Sequence, residues 1–103
     1  MKKKISSTQV DKQPVLKEPS KYSVFLLNDE RSSMEFVVNV LINVFSKEPK
    51  IAQTIMMNIH NKGKGLCGLY THEIALTKVA QVSSIAKNAG FPLKATMVEE
   101  KVE

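Results

Sequence analysis

The stretch LLNDERSSMEF, residues 26–36, decides how this chain folds. Two leucines close an apolar run. Asn28, Asp29 and Glu30 then interrupt it with an amide and two carboxylates, and a serine pair opens a segment in which apolar residues return at a different spacing. Upstream, KYSVFLLN is short, aromatic and β-branched, bounded by Pro19 and the polar cluster, which predicts a strand. Its nearly continuous apolar character predicts a central strand covered on both faces. Downstream, in SSMEFVVNVLINVFSKEP, Met34, Val37, Val38, Leu41, Val44 and Phe45 recur every three or four residues, the apolar stripe of a helix. Ser32 with Glu35 matches the Ser-x-x-Glu capping box, in which the serine hydroxyl serves free N–H groups of the first turn. A strand therefore hands over to a helix through two adjacent acids.

The rest of the chain extends the same pattern. Pro49, well suited to a first helical turn, opens a second helix in PKIAQTIMMNIHNKG, with Ile51, Ile55, Met56 and Ile59 on one side and Gly63 as its stop. GLCGLYT predicts a second strand whose glycines, Gly65 and Gly68, imply tight turns or close backbone approach. Thr71 is placed to cap a third helix with Ile74, Ala75, Val79, Val82, Ile85 and Ala86 on its apolar face, ended by Gly90 ahead of Pro92. In PLKATMVE, Leu93, Ala95 and Met97 alternate with Lys94, Thr96 and Val98, a half-buried strand. The order β-α-α-β-α-β predicts an α/β two-layer sandwich: a three-stranded sheet with three helices on one face. That domain is expected over residues 21–103. Residues 1–20 are polar, hold Pro14 and Pro19, and are expected to form a disordered N-terminal extension.

Composition narrows the function. The chain has 103 residues, 43% hydrophobic and 24% charged, enough for one modest core. No apolar run is long enough to span a bilayer, and the basic start lacks the apolar stretch of a secretory signal. The lone Cys67, in an apolar setting, suits a reducing compartment and a structural thiol. A cytoplasmic monomer is expected. The net charge of +5 raises a small basic nucleic-acid-binding module as the alternative, with NKGKG touching phosphate. Charge placement argues against it. In the first 20 residues Lys2, Lys3, Lys4, Lys12 and Lys17 stand against Asp11 and Glu18, a net of +3; the remainder is scattered, with no basic stripe and no run of aromatics for base stacking.

The chemistry gathers at the first junction. Acids ahead of a helix are stabilised by its dipole, by about 0.3–1 kcal/mol each, but here they have companions. Met34, Met56 and Met57 lie close in sequence to the same corner, and methionine adapts to varied apolar ligands. His60 follows Met56 by four residues and shares its helix face. A cationic amine offers three donors and no acceptor, and Asn28, Asp29 and His60 are acceptors of the types it needs; Glu30 adds long-range attraction. The pattern predicts a site for an amine joined to an apolar group. It does not predict an enzyme: no nucleophile–base–orienter spacing or His-Glu-x-x-His motif is present, and neither cofactor nor metal is expected.

On LLNDERSSMEFVVNVL, IAQTIMMNIHNKGKGLCGLYTHEIALTKVAQV and GFPLKATM, in order and at family spacing, the chain resembles the bacterial adaptor family ClpS from about Tyr22 to Glu99. The resemblance implies an adaptor that binds proteins by a bulky hydrophobic N-terminal residue, an N-degron, and hands them to the N-terminal domain of the AAA+ unfoldase ClpA of the ClpAP protease. It assigns Asn28, Asp29 and His60 to the α-amino group, and Val37, Met56, Ile59 and Leu93 to the pocket for the first side chain, with Met34 as gate. Glu73 and Lys78 match its unfoldase-docking positions, and residues 1–20 match an extension needed for hand-off. The family most often carries a second Asp at Glu30 and Tyr-Thr-Pro at Arg31, Ser32 and Ser33, so here a cation stands beside the acids and the proline is absent.

Overall fold

The computed structural model describes residues 20–100; the extension expected over residues 1–20 lies outside them apart from Ser20. The element order is β1 (Lys21–Leu27), α1 (Met34–Asn43), α2 (Pro49–Lys62), β2 (Lys64–Tyr70), α3 (His72–Ala89) and β3 (Lys94–Glu100). The sheet order is β2-β1-β3, both pairs antiparallel. The apolar first strand is thus central, as its composition predicts. Val24 and Leu26 on β1 are fully buried and join Val40 and Leu41 of α1, Ala52 of α2, and Ala75, Val82 and Ala86 of α3 in one core.

Only one face of β1 is covered, which corrects the expectation of two. Phe25, on the other face, is half-buried beneath the Lys64 ammonium, 4.6 Å from its ring centroid, and Leu66, Leu69 and Val98 stay exposed. The apolar run was continuous because the alternate residues pack against neighbours within the open face. That contact also occupies one lysine of the NKGKG segment.

The helix caps follow the chemistry of their residues, with two shifts. Thr71 caps α3, accepting from Ile74 N, and Gly63 and Gly90 end α2 and α3 in the left-handed conformation. The cap of α1, however, is Ser33 rather than Ser32: its hydroxyl accepts from Phe36 N at 3.1 Å. Helix α1 also stops at Asn43, short of the apolar stripe that continues to Phe45. Ser46 takes a positive φ of 55°, Lys47 N donates to Leu41 O at 3.1 Å, and Lys78 Nζ donates to Val44 O at 2.7 Å. Val44 and Phe45 are buried beyond the helix end. On the other helices the buried stripe is narrower than the periodicity suggests, since Ile51, Ile74 and Ile85 remain exposed.

Strand β2 carries a bulge. Val24 pairs with Gly68 and Phe25 with Leu66, so Cys67 has no opposite number and its side chain turns into the core. Gly65 marks a close approach between layers. A Cβ there would stand 2.6 Å from Ile59 Cγ1 and 3.2 Å from Ile55 O, so the glycine lets α2 lie flat against β2. Gly65→Ala should lower stability by about 1–3 kcal/mol, the usual range for overpacking. Urea denaturation checks this; an unchanged midpoint would mean that α2 backs away freely.

Candidate functional site

The corner after β1 is built by backbone bonds before any side chain acts. Asn28 N donates to Gly63 O at 2.9 Å, which joins the end of β1 to the end of α2. Gly63, at φ 91°, also donates its own N–H to Ile59 O. The last turn of α2, carrying His60, is thereby held beside Asn28. The acids that follow form a tight turn: Ser32 N donates to Asp29 O at 3.1 Å, and Arg31 N donates to Asp29 Oδ1 at 2.8 Å. The Asp29 carboxylate is thus oriented by its own loop.

These segments enclose a cavity of about 350 Å³ lined by Leu27, Asn28, Asp29, Glu30, Ser32, Ser33, Met34, Val37, Met56, Ile59 and His60. The lining sorts by depth. Asn28, Glu30, Ser33, Met34 and His60 are exposed and form the mouth, whereas Ser32, Val37, Met56 and Ile59 are buried and form the floor. Amide, carboxylate and imidazole therefore surround the entrance to a largely apolar recess. Two carboxylates and no lysine or arginine line it, so the site favours a cation. Such a geometry can pair an ammonium at the mouth while removing an attached apolar group from water.

Asn28, Asp29, Glu30, His60, Met34, Val37, Met56 and Ile59, all predicted from sequence, come together here. Leu93 does not line this cavity; it is buried in the core just ahead of β3. Leu27, Ser32 and Ser33 line the cavity without having been assigned to it. In the sequence Leu27 shows only as the end of a strand, and Ser32 as a cap that Ser33 makes instead. Arg31 turns away from the acids into a separate cleft with Lys87, Gly90, Phe91 and Pro92, so its cation does not stand inside the anionic mouth. Glu73 and Lys78 sit elsewhere, on α3. Glu73 is exposed, whereas Lys78 is half-buried, bonded to Val44 O and lying 5.8 Å from the Tyr70 ring centroid.

Cys67 is a structural thiol. It is buried, and burial pushes its pKa up from 9.0 to about 12, so the reactive thiolate is disfavoured at neutral pH. No helix among the described residues is long and apolar enough to cross a membrane, and no cluster of three or more potential metal ligands occurs among them.

The family model described as "ATP-dependent Clp protease adaptor protein ClpS" matches residues 17–96. An ATP-dependent Clp protease adapter protein ClpS of Maricaulis maris is 52% identical over 87 residues, covering 84% of this chain and 80% of that one. Its counterpart from Desulforapulum autotrophicum is 54% identical over 82 residues, 80% of this chain and 79% of the relative. Among solved structures, ClpS2 of Agrobacterium tumefaciens bound to L-phenylalaninamide aligns with a TM-score of 0.78 at 36% identity, covering 81% of this chain and all of that one.

The thiol yields a simple expectation. A disulfide reagent at about pH 8 should modify Cys67 slowly in the folded protein and rapidly in denaturant, because the folded-state pKa is raised and the sulfur buried. Rapid labelling of the native protein would contradict the structural assignment.

Proposed function

Because the chain belongs to the ClpS family of adaptors for the ATP-dependent Clp protease, we propose that it binds proteins through a free, bulky apolar N-terminal residue and delivers them to the ClpA-type unfoldase of ClpAP. It is an adaptor and carries out no bond-making of its own. The observation that carries this reading is the two-part cavity, with Asn28 and His60 at its mouth, the half-buried Asp29 beside them, and Val37, Met56 and Ile59 in its floor. The ligand of the Agrobacterium relative has the matching parts, a free α-amine one carbon from an aromatic side chain. Asn28, Asp29 and His60 receive the ammonium, and Glu30 adds attraction from the rim. The first side chain descends past Met34 onto the floor.

Delivery requires a second surface. On α3 the exposed Glu73 is flanked by Ile74 at 47% exposure and Leu76 at 49%, apolar side chains without cover. We assign this patch to docking on the unfoldase's N-terminal domain, with Glu73 as its charged element. Lys78 also serves the fold by capping the end of α1, so its loss would affect both stability and docking.

Fluorescence polarisation with peptides that begin in Leu tests the site. Asp29→Ala and His60→Ala should each weaken binding by about 1.5–3 kcal/mol, the range for hydrogen bonds to a charged group, and acetylation of the peptide's amine should abolish it. Equal affinity for the acetylated and free peptides would refute the mechanism. Glu73→Ala should weaken capture by the isolated unfoldase N-terminal domain while leaving peptide affinity intact; full capture by this variant would remove α3 from the docking surface.

A further inference from the structure

Ser32 is the loose end of the site. It is 8% exposed, and its Oγ has no hydrogen-bond partner among the described residues. The cap that would have used this hydroxyl is made by Ser33, while the backbone of Ser32 is held by its bond to Asp29 O. Leaving a buried hydroxyl unpaired is costly, and native proteins leave few such groups without a reason.

Its place in the cavity supplies one. Of the buried lining residues, Val37, Met56 and Ile59 are apolar and Ser32 alone is polar. The acceptors for the guest's amine stand at the mouth, so the guest's first α-carbon lies there and its side chain points inward. A long side chain pointing inward brings its tip among the buried lining residues, of which Ser32 is one. We propose that Ser32 is a specificity-determining residue, its hydroxyl bonding the polar tip of the first side chain, so that the site favours N-terminal tyrosine over phenylalanine. This rests on the N-degron reading above.

The chemistry suits a phenol best. Serine and tyrosine hydroxyls each donate and accept, so the pair is satisfied in either direction. The Ser32 oxygen is buried as it stands, and a change between staggered side-chain positions is the movement by which it would meet a guest. Leucine and phenylalanine bring no polar atom to the floor, and the indole N–H of tryptophan leaves the ring at its edge and not at its tip. A purely apolar floor would gain nothing from the added hydroxyl and would have to desolvate it, so a preference for tyrosine is a signature of the serine.

The test is binding of two peptides that differ only in a first Tyr or Phe, measured for the full chain and for Ser32→Ala and Ser32→Thr. A net hydrogen bond of ordinary strength corresponds to a tyrosine preference of roughly threefold to tenfold. That preference should vanish in Ser32→Ala and persist in Ser32→Thr, which keeps the hydroxyl. Absence of the preference in the unaltered protein overturns the inference even if a variant fails to fold, and so does its survival in Ser32→Ala. If both peptides bind equally well, only this assignment falls. If neither binds, the N-degron reading falls and takes this one with it.

Discussion

The hydrogen bond from Asn28 N to Gly63 O, at 2.9 Å, is the constraint on which the rest depends. Gly63 ends α2 with a positive φ that an L-residue adopts only at a cost of roughly 1–2 kcal/mol. This left-handed residue reverses the chain, so that β2 begins at once and Lys64 pairs with Leu27. One glycine thereby sets three things together: the stop of α2, the register of β2 on β1, and the position of His60 beside the acids. The β1–β2 pairing and the candidate amine site are consequences of the same turn.

The cavity persists because its walls belong to the core. Val37, Met56 and Ile59 face the recess and also pack within the main apolar cluster, so closing the recess would require moving α1 against α2. Deeper contacts resist that. Val40, Leu41 and Ala52 of the same two helices are buried in the core, and the Phe36 ring meets Phe91 at a centroid distance of 4.7 Å, which ties the start of α1 to the loop after α3. Protein interiors are close-packed, and an apolar recess between two helices collapses unless both are fixed from behind. Met34 at the rim is held by neither device and stays exposed, free to adjust to what enters.

Most of the fold was legible because each element is locally consistent. Periodicity, Pro49, Thr71 and the two left-handed glycines agree with one another, and the observed order of elements is the expected one. The failures have physical causes. Ser32 and Ser33 are chemically equal candidates for the cap, and the one-residue difference is decided by the turn that Asp29 imposes. The end of α1 carries no glycine; Ser46 takes the left-handed position and a distant lysine, Lys78, serves the freed carbonyl of Val44, a contact no local window contains. The second face of β1 was misread because a continuous apolar run does not distinguish a covered strand from one whose outer side chains pack beside their neighbours. Within the site, the acceptor types and the nearby methionines are legible in the residues themselves, whereas Val37 and Ile59 are assigned to the wall only through the family resemblance. The unpaired hydroxyl is not legible there, since burial without a partner is a property of three-dimensional packing.

A site split between mouth and floor has an energetic consequence for the proposed guest. Association carries an entropic penalty estimated at about 4–15 kcal/mol. Burial of one Leu- or Phe-sized side chain returns roughly 1.5–3 kcal/mol, and each charge-assisted hydrogen bond to the amine a similar amount. Against the upper part of that range neither half suffices alone. On the proposed reading, an internal segment that offers a suitable side chain but no free amine is held far more weakly, and so is a free amine followed by a small residue. Asn28 and His60 reach the mouth from the ends of β1 and α2, which the backbone bond at Gly63 joins, and the floor residues belong to the packed core, so the two halves stand at a fixed separation. On the same reading, the distance from an α-amine to its own side chain is thus measured by the fold itself.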